Sequence, residues 1–234
     1  MEKPIGIIGA MEEEIALFLK EMEQERTEEH AGISFYIGRL VDRSVVICRS
    51  GVGKVNAAVC TQVLIDRFQI EAVIFTGVAG ALDPELEIGD IVVSSSCQQH
   101  DVDVTPLGLD KGVIPFQETS EFPADPTWIQ LAEKAASAWT EGRAITGKVL
   151  SGDQFIADQE TVRQLREQLN GVCVEMEGAA VAHVCHLNDV PFVVIRSMSD
   201  RADHSADVNF QEFAAVAARR SNGIVKDMLA QKPI

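Results

Sequence analysis

The sequence predicts an α/β fold, a mixed or mostly parallel sheet covered by helices on both faces. Three observations carry that prediction. Short apolar, β-branched runs alternate with amphipathic helical patterns along the whole chain, as in layered α/β proteins. Several runs are apolar at consecutive positions, which suits strands buried on both sides of the pleat. No internal repeat, low-complexity tract or Gly/Ser linker interrupts the 234 residues, so the chain reads as one domain, 1–234.

Taken in order, Ile5–Ile8 is the first strand and residues 12–23 the first helix. Acids in the opening turn of that helix, Glu12 and Glu13, suit the positive end of its dipole; the same reasoning leaves Glu14 open. Val45–Cys48 is a strand leading through a glycine-rich turn into a helix over 54–68. Ala72–Phe75 and Ile91–Ser94 are the next two strands. Residues 101–126 carry Pro106, Pro115, Pro123, Pro126 and two glycines, which reads as a long loop. Loops of that length usually serve a site or an interface. A helix over 127–139, a strand at Ala144–Leu150 and a helix over 158–169 follow. The strand Val172–Met176, the helix 178–188, the strand Phe192–Ser197 and the helix 210–230 complete the pattern.

Composition removes several function classes. The formal net charge is −16 with no cluster of Lys and Arg, which argues against a nucleic-acid partner. That field suits a small substrate that is neutral or cationic where it reacts. Five cysteines at 48, 60, 97, 173 and 185 form no C-x-x-C pair, a pattern expected of reduced thiols in the cytoplasm. The apolar run near the N-terminus is too short for a signal peptide, and no stretch approaches a membrane span.

Ligands of open α/β sheets bind beyond the carboxyl ends of the strands. Those ends here read Gly9-Ala10-Met11-Glu12-Glu13-Glu14, Thr76-Gly77-Val78-Ala79-Gly80, Ser151-Gly152-Asp153-Gln154-Phe155, Glu175-Met176-Glu177-Gly178 and Ser197-Met198-Ser199-Asp200. The opening Ile-Gly-Ile-Ile-Gly-Ala is not a dinucleotide fingerprint, because its glycine spacing is wrong and glutamates stand where a pyrophosphate would sit. Ser50-Gly51-Val52-Gly53-Lys54-Val55 fails as a P-loop, and its glycines are expected to serve tight strand-to-helix packing. His183 and His186 share a helix face without a third ligand, so a structural role is expected and no metal. His100-Asp101-Val102-Asp103 remains ambiguous. Alternation places the carboxylates of Glu175 and Glu177 on one side of a strand end, where they could accept hydrogen bonds from vicinal hydroxyls. Asp200 fits a helix cap as well as a reactive acid. The residues alone thus indicate an α/β enzyme with an acidic site for a polar, non-phosphorylated small molecule.

The ordered set IGIIGAMEEE, SGVGKVNAA, TGVAGAL, GDIVVS, SGDQF, VEMEGAAVAHVCH and VPFVVIRSMSD resembles the methylthioadenosine/S-adenosylhomocysteine nucleosidases from about residue 4 to about residue 228. The resemblance implies a nucleoside phosphorylase-like, three-layer α/β/α sandwich with a mixed central sheet, active as a homodimer without metal or cofactor. It implies that Glu14 is the general base that activates water and Asp200 the general acid that protonates purine N7. Glu177 would grip the ribose hydroxyls beside Glu175 and Met176, and Arg196 would help hold the water and the ribose end. Phe155 would stack on the base, and Ile156 would offer it backbone hydrogen bonds. Val78, Ala79, Gly80 and Ser199 would line the site. Met11, Val52 and Phe210 would surround the 5'-alkylthio group, completed by Leu107 and Pro115 of a partner subunit. The expected reaction is hydrolysis of the N-glycosidic bond of 5'-methylthioadenosine and S-adenosylhomocysteine, with 5'-deoxyadenosine and 6-amino-6-deoxyfutalosine as further candidates.

Two departures from the family pattern bear on specificity. Val78 stands where many members have Ser, and the loop after Asp103 reads Thr-Pro-Leu-Gly-Leu where aromatic residues are common. A phosphorylase is the nearest rival, but it needs cationic donors around the phosphate. The loops in question carry Glu14 and Val78-Ala79 with no Arg, which favours water. A non-catalytic nucleoside binder should have lost the acid or the base, and both are in place.

Overall fold

Alternating burial along the strands sets the layers in the computed structural model, which describes residues 3–139, 142–202 and 206–231. In β1 (Ile5–Gly9), Ile5 and Ile7 enter one core cluster and Ile8 the other. The neighbouring β4 (Arg43–Arg49) repeats this, with Val45 and Ile47 on one side and Val46 and Cys48 on the other. A strand that buries both faces must be covered twice, and the helices divide accordingly. α1 (Glu12–Glu21), α3 (Pro126–Ser137) and α6 (Ala206–Ala230) pack on the Ile5/Ile7 face. α2 (Lys54–Phe68) and α5 (Gly178–Leu187) pack on the other. On that side a Cβ at Gly6 would lie 2.5 Å from Leu64 Cδ2 of α2, so the close approach of helix to strand requires glycine there. α4 (Gln159–Leu169) joins a smaller cluster through Leu165 and Leu169. The result is the expected three-layer sandwich.

The sheet is mixed. β5 (Val73–Ala81) pairs in parallel with β1 and with β10 (Phe192–Asp200). β10 pairs antiparallel with β6 (Ile91–Gln99), and β6 pairs in parallel with β8 (Ala144–Ser151). β8 pairs in parallel with β9 (Gly171–Glu175), which returns antiparallel to the far end of β5. Five strands, β5–β10–β6–β8–β9, therefore close into a ring. β1 and β4 extend the sheet away from it, followed by β3 (Ile33–Leu40) and β2 (Glu23–His30).

Differences from the sequence expectation have physical reasons. The first helix stops at Glu21, and residues 23–30 form β2 with β3 beside it. β2 reads EQERTEEH and buries no apolar face, so no hydrophobic period announces it; its charges suit an edge strand. β5 and β10 run on through Ala81 and Asp200, past the points where their apolar runs end. Within 101–126 the chain makes a 3-10 turn at Thr105–Leu107 and a short strand, β7 (Glu121–Pro123), on the edge of β6. Among the described residues, no helix is long and apolar enough to cross a membrane.

Candidate active site

One cavity of about 290 Å³ opens at the carboxyl ends of β1, β5, β9 and β10 and at the loop after β8. Its wall includes Met11 and Glu14 from the β1–α1 junction, Val78, Ala79 and Gly80 from β5, and Phe155 and Ile156 from the loop. Glu175, Met176 and Glu177 contribute from the end of β9, and Ser199 and Asp200 from the end of β10.

Glu14 is the third residue of α1, and the turn of the helix carries its side chain back over the strand end. Its Oε2 accepts hydrogen bonds from the Ala10 and Met11 amides (2.6 and 2.9 Å), and its Oε1 accepts one from the Val78 amide (3.1 Å). Burial pushes its pKa up, opposed by the nearby Arg196 charge and by these backbone donors. Glu12 and Glu13, by contrast, point to solvent in the first turn, as helix-capping acids do. Gly77 makes the arrangement possible, because any Cβ there would collide with the Glu14 carboxylate and the Arg196 guanidinium.

Asp200 ends β10 opposite Gly80, where the register slips after Met198. An irregularity at a strand end re-aims side chains. Here it leaves Asp200 buried against the cavity, its Oδ2 accepting from Ser199 Oγ (2.8 Å) and its Oδ1 from the Ala202 amide (2.8 Å). A Cβ at Gly80 would sit 2.8 Å from Asp200 Oδ1, so the small residue makes room for the carboxylate.

β9 stops at Glu175, so strand alternation does not govern Glu177, and the two carboxylates do different work. Glu175 is occupied by protein: it accepts from Ser151 Oγ, from the Glu177 and Gly178 amides (3.1 and 2.8 Å) and from Arg196 Nη2. Glu177 accepts from the Gly53 amide (2.7 Å). Burial, then repulsion from Glu175, raises the Glu177 pKa to about 8. Three acids and one guanidinium share this buried spot, and an unbalanced cluster of that kind raises carboxyl pKa values. Burial works against the Arg196 charge, but Glu175, Glu14 and Glu177 outweigh it and hold the guanidinium above its usual pKa.

The sequence profile of the Phosphorylase superfamily matches residues 4–230. Over 228 residues the chain is 43% identical to the 5'-methylthioadenosine/S-adenosylhomocysteine nucleosidase of Shewanella sediminis, covering 97% of this chain and 99% of that one. This chain belongs to the methylthioadenosine/S-adenosylhomocysteine nucleosidases. Among solved structures, that nucleosidase from Neisseria meningitidis, in complex with methylthio-immucillin-A, superimposes with a TM-score of 0.93 at 39% identity, covering 97% and 99% of the two chains. A futalosine hydrolase mutant of Helicobacter pylori gives a TM-score of 0.92 at 33% identity, covering 97% and 98%.

Against the nucleosidase pattern, most of the expected residues meet at the cavity, and a few do not. Val52 reaches the rim from the turn before α2. Phe155 lies at the mouth and is 52% exposed. Arg196 lies behind the wall, fully buried over the Phe75 ring (4.0 Å to its centroid), where it donates to Glu175 and sets its charge near Glu14. Leu107 is largely exposed and Pro115 half-buried, and within one chain neither lines the cavity. Phe210 falls in α6, but its side chain lies outside the described residues.

Ala10 and Gln154, which belong to the strand-end segments named above without a role of their own, and Val174 also line the cavity. Gln154 was within reach, because it sits inside the SGDQF motif; Ala10 and Val174 carry no chemical signal. The glycines of the 51–53 turn do more than pack: both have positive φ (83° and 97°), and Gly53 donates to Glu177. His183 stacks on Phe122 (centroids 4.5 Å apart) and His186 lies near the same ring, the structural role expected of them. Among the described residues no group of three or more His, Cys, Asp or Glu is arranged to hold a metal ion.

Proposed function

We propose that residues 1–234 act as one nucleosidase domain that hydrolyses 5'-methylthioadenosine and S-adenosylhomocysteine, releasing adenine and the thio-substituted ribose. One observation carries this reading: Glu14 and Asp200 border the same cavity, each positioned by the strand β5. Glu14 is tied to the Val78 amide, and Asp200 stands beside Gly80, two residues further along.

Asp200 donates a proton to N7 as the C1'–N9 bond breaks, so adenine leaves neutral. Water attacks C1', and its proton passes to Glu14. Each acid or base is worth roughly 10²–10⁴ in rate. Positive charge develops on the ribose in the transition state, and the carboxylates of Glu14 and Glu175 stabilise it. Glu177 and Met176 hold the ribose, Phe155 stacks on adenine, and the Ile156 backbone hydrogen-bonds it. Met11, Val52 and Phe210 form the 5'-alkylthio pocket. Val78 offers its amide to Glu14 but no hydroxyl to the substrate, so that part of the site is less polar than in relatives with Ser.

A homodimer completes the site in this reading, with Leu107 and Pro115 of each chain covering the pocket of the other. Val55, Leu107 and Phe116 are large apolar side chains exposed in the single chain, which a partner's surface would cover. The protein works in the cytoplasm, free of nucleic acid and membrane. The futalosine hydrolase likeness extends the candidate substrates to 6-amino-6-deoxyfutalosine. The test is adenine release from 5'-methylthioadenosine in phosphate-free buffer: adenine with free methylthioribose is expected, and release only after phosphate is added would make the protein a phosphorylase.

A further inference from the structure

Beside the cavity lies a polar circuit that the reaction itself does not use. Lys54 Nζ donates to Asp101 Oδ1 (2.6 Å) and to Gln99 Oε1 (2.9 Å). The other Asp101 oxygen accepts the Asp153 amide (2.9 Å), and Asp153 Oδ1 accepts the Lys54 amide (2.8 Å). The three residues thus close a ring of hydrogen bonds from Lys54 to Asp101, from Asp153 to Asp101 and from Lys54 back to Asp153. Lys54 and Asp101 side chains are only 17% and 16% exposed, so water weakens their ion pair less than it would a surface pair.

Each corner of this ring sits on a different segment: Lys54 opens α2 after the turn that follows β4, and Asp101 and Asp153 lie on the loops after β6 and β8. What adjoins each corner matters. Immediately before Lys54 come Val52, on the cavity rim, and Gly53, whose amide holds Glu177. Immediately after Asp153 come Gln154, Phe155 and Ile156 on the cavity wall. The loop after β8 is pressed against the loop after β6, since a Cβ at Gly152 would lie 3.1 Å from Asp101 Cγ and closer still to the His100 ring.

We propose that Lys54, Asp101 and Asp153 are positioning residues that fix the base-stacking loop relative to the ribose-gripping Glu177. This rests on the nucleosidase reading and concerns substrate binding, because Glu14 and Asp200 are anchored elsewhere, on β5 and β10. A hydrogen bond to a charged partner is directional and strong enough to hold a loop in register. Without it the two halves of the pocket are placed independently, and a nucleoside must pay to align them.

Steady-state kinetics on 5'-methylthioadenosine test the proposal. Asp101→Asn puts an amide NH₂ against either Lys54 or the Asp153 amide, setting donor against donor. The KM should rise roughly tenfold with kcat within about twofold, since the lost interaction serves binding rather than the transition state alone. Lys54→Met should do the same, and the double variant should be no worse than either single one, because one ring is opened once. Asp153→Asn keeps an acceptor for the Lys54 amide and should retain the normal KM, whereas Asp153→Ala should not. Unchanged KM in folded Asp101→Asn and Asp153→Ala proteins, or additive effects in the double variant, overturns the circuit. Absence of turnover in the unaltered enzyme would instead sink the nucleosidase reading.

Discussion

At the scale of single residues, the site is a set of carboxylates distinguished by what surrounds them. Asp200 Oδ1 accepts from the Ala202 amide and Oδ2 from the Ser199 hydroxyl; an asparagine oxygen can keep the amide, and the Ser199 hydroxyl can turn to accept from the new NH₂. Asp200→Asn should therefore keep its fold, with a thermal transition within a few degrees of wild type. Its kcat should fall by about 10²–10⁴, and a folded variant with most of its activity intact would remove Asp200 from the acid's role. Glu177 gives a prediction with a sign. Its folded pKa of about 8 lies above the ordinary carboxyl value of 4.5, so the fold disfavours the ionised form. The resulting cost is absent below the ordinary value, grows as pH rises and is complete above about 8. Glu177→Gln should thus gain thermal stability over wild type as pH goes from 5 to 9, by a few degrees, while losing ribose affinity. Melting curves at both pH values check it; a gain confined to pH 5 would reverse the sign. The sequence named Glu14, Glu177 and Asp200 by family pattern, but nothing in it showed that Glu175 spends its oxygens on Arg196, Ser151 and two amides. Such sharing arises between residues 21 and 24 positions apart, beyond any local pattern.

Among the elements, most with an apolar period were read from the sequence; β3, with Ile33, Phe35 and Ile37 in alternation, was passed over, and β2, which has no such period, was hidden. α2 was readable to its ends because alternating helical burial and a glycine turn mark them. β2 was hidden because an edge strand held by backbone pairing needs no apolar face. The far ends of β5 and β10 were hidden for another reason: small and polar residues there serve the cavity, so the strand outlasts its hydrophobic signal. β5 bears a prediction of its own. Gly77→Ala would force a methyl group into the contact between Glu14 and Arg196. The overpacking should cost about 1–3 kcal/mol of stability, and displacement of the base by about an ångström should reduce kcat by roughly 10²-fold. Chemical denaturation and turnover measured together check this. Normal kcat in the alanine variant would mean that Glu14 does not depend on that contact.

For the molecule as a whole, the fold class was legible because strands and helices alternate throughout, whereas closure of five strands was not: no sequence signal marks that β9 returns to β5. Association is likewise a property of the whole. A chain of 25.5 kDa should scatter light as a particle of twice that mass, and Leu107→Asp should both reduce that mass and weaken substrate affinity if the loop covers a partner's pocket. A variant monomer with normal affinity would separate assembly from the site.

The ring of β5, β10, β6, β8 and β9 has a consequence for how the protein comes apart. A strand in an open sheet can peel from one edge, but a closed circuit offers no free edge from which to begin. Amide hydrogens along β5 and β10, which space the acid and the base, should therefore exchange with solvent deuterium only when the entire chain opens. Those of β2, at the outer margin, should exchange by local fraying alone.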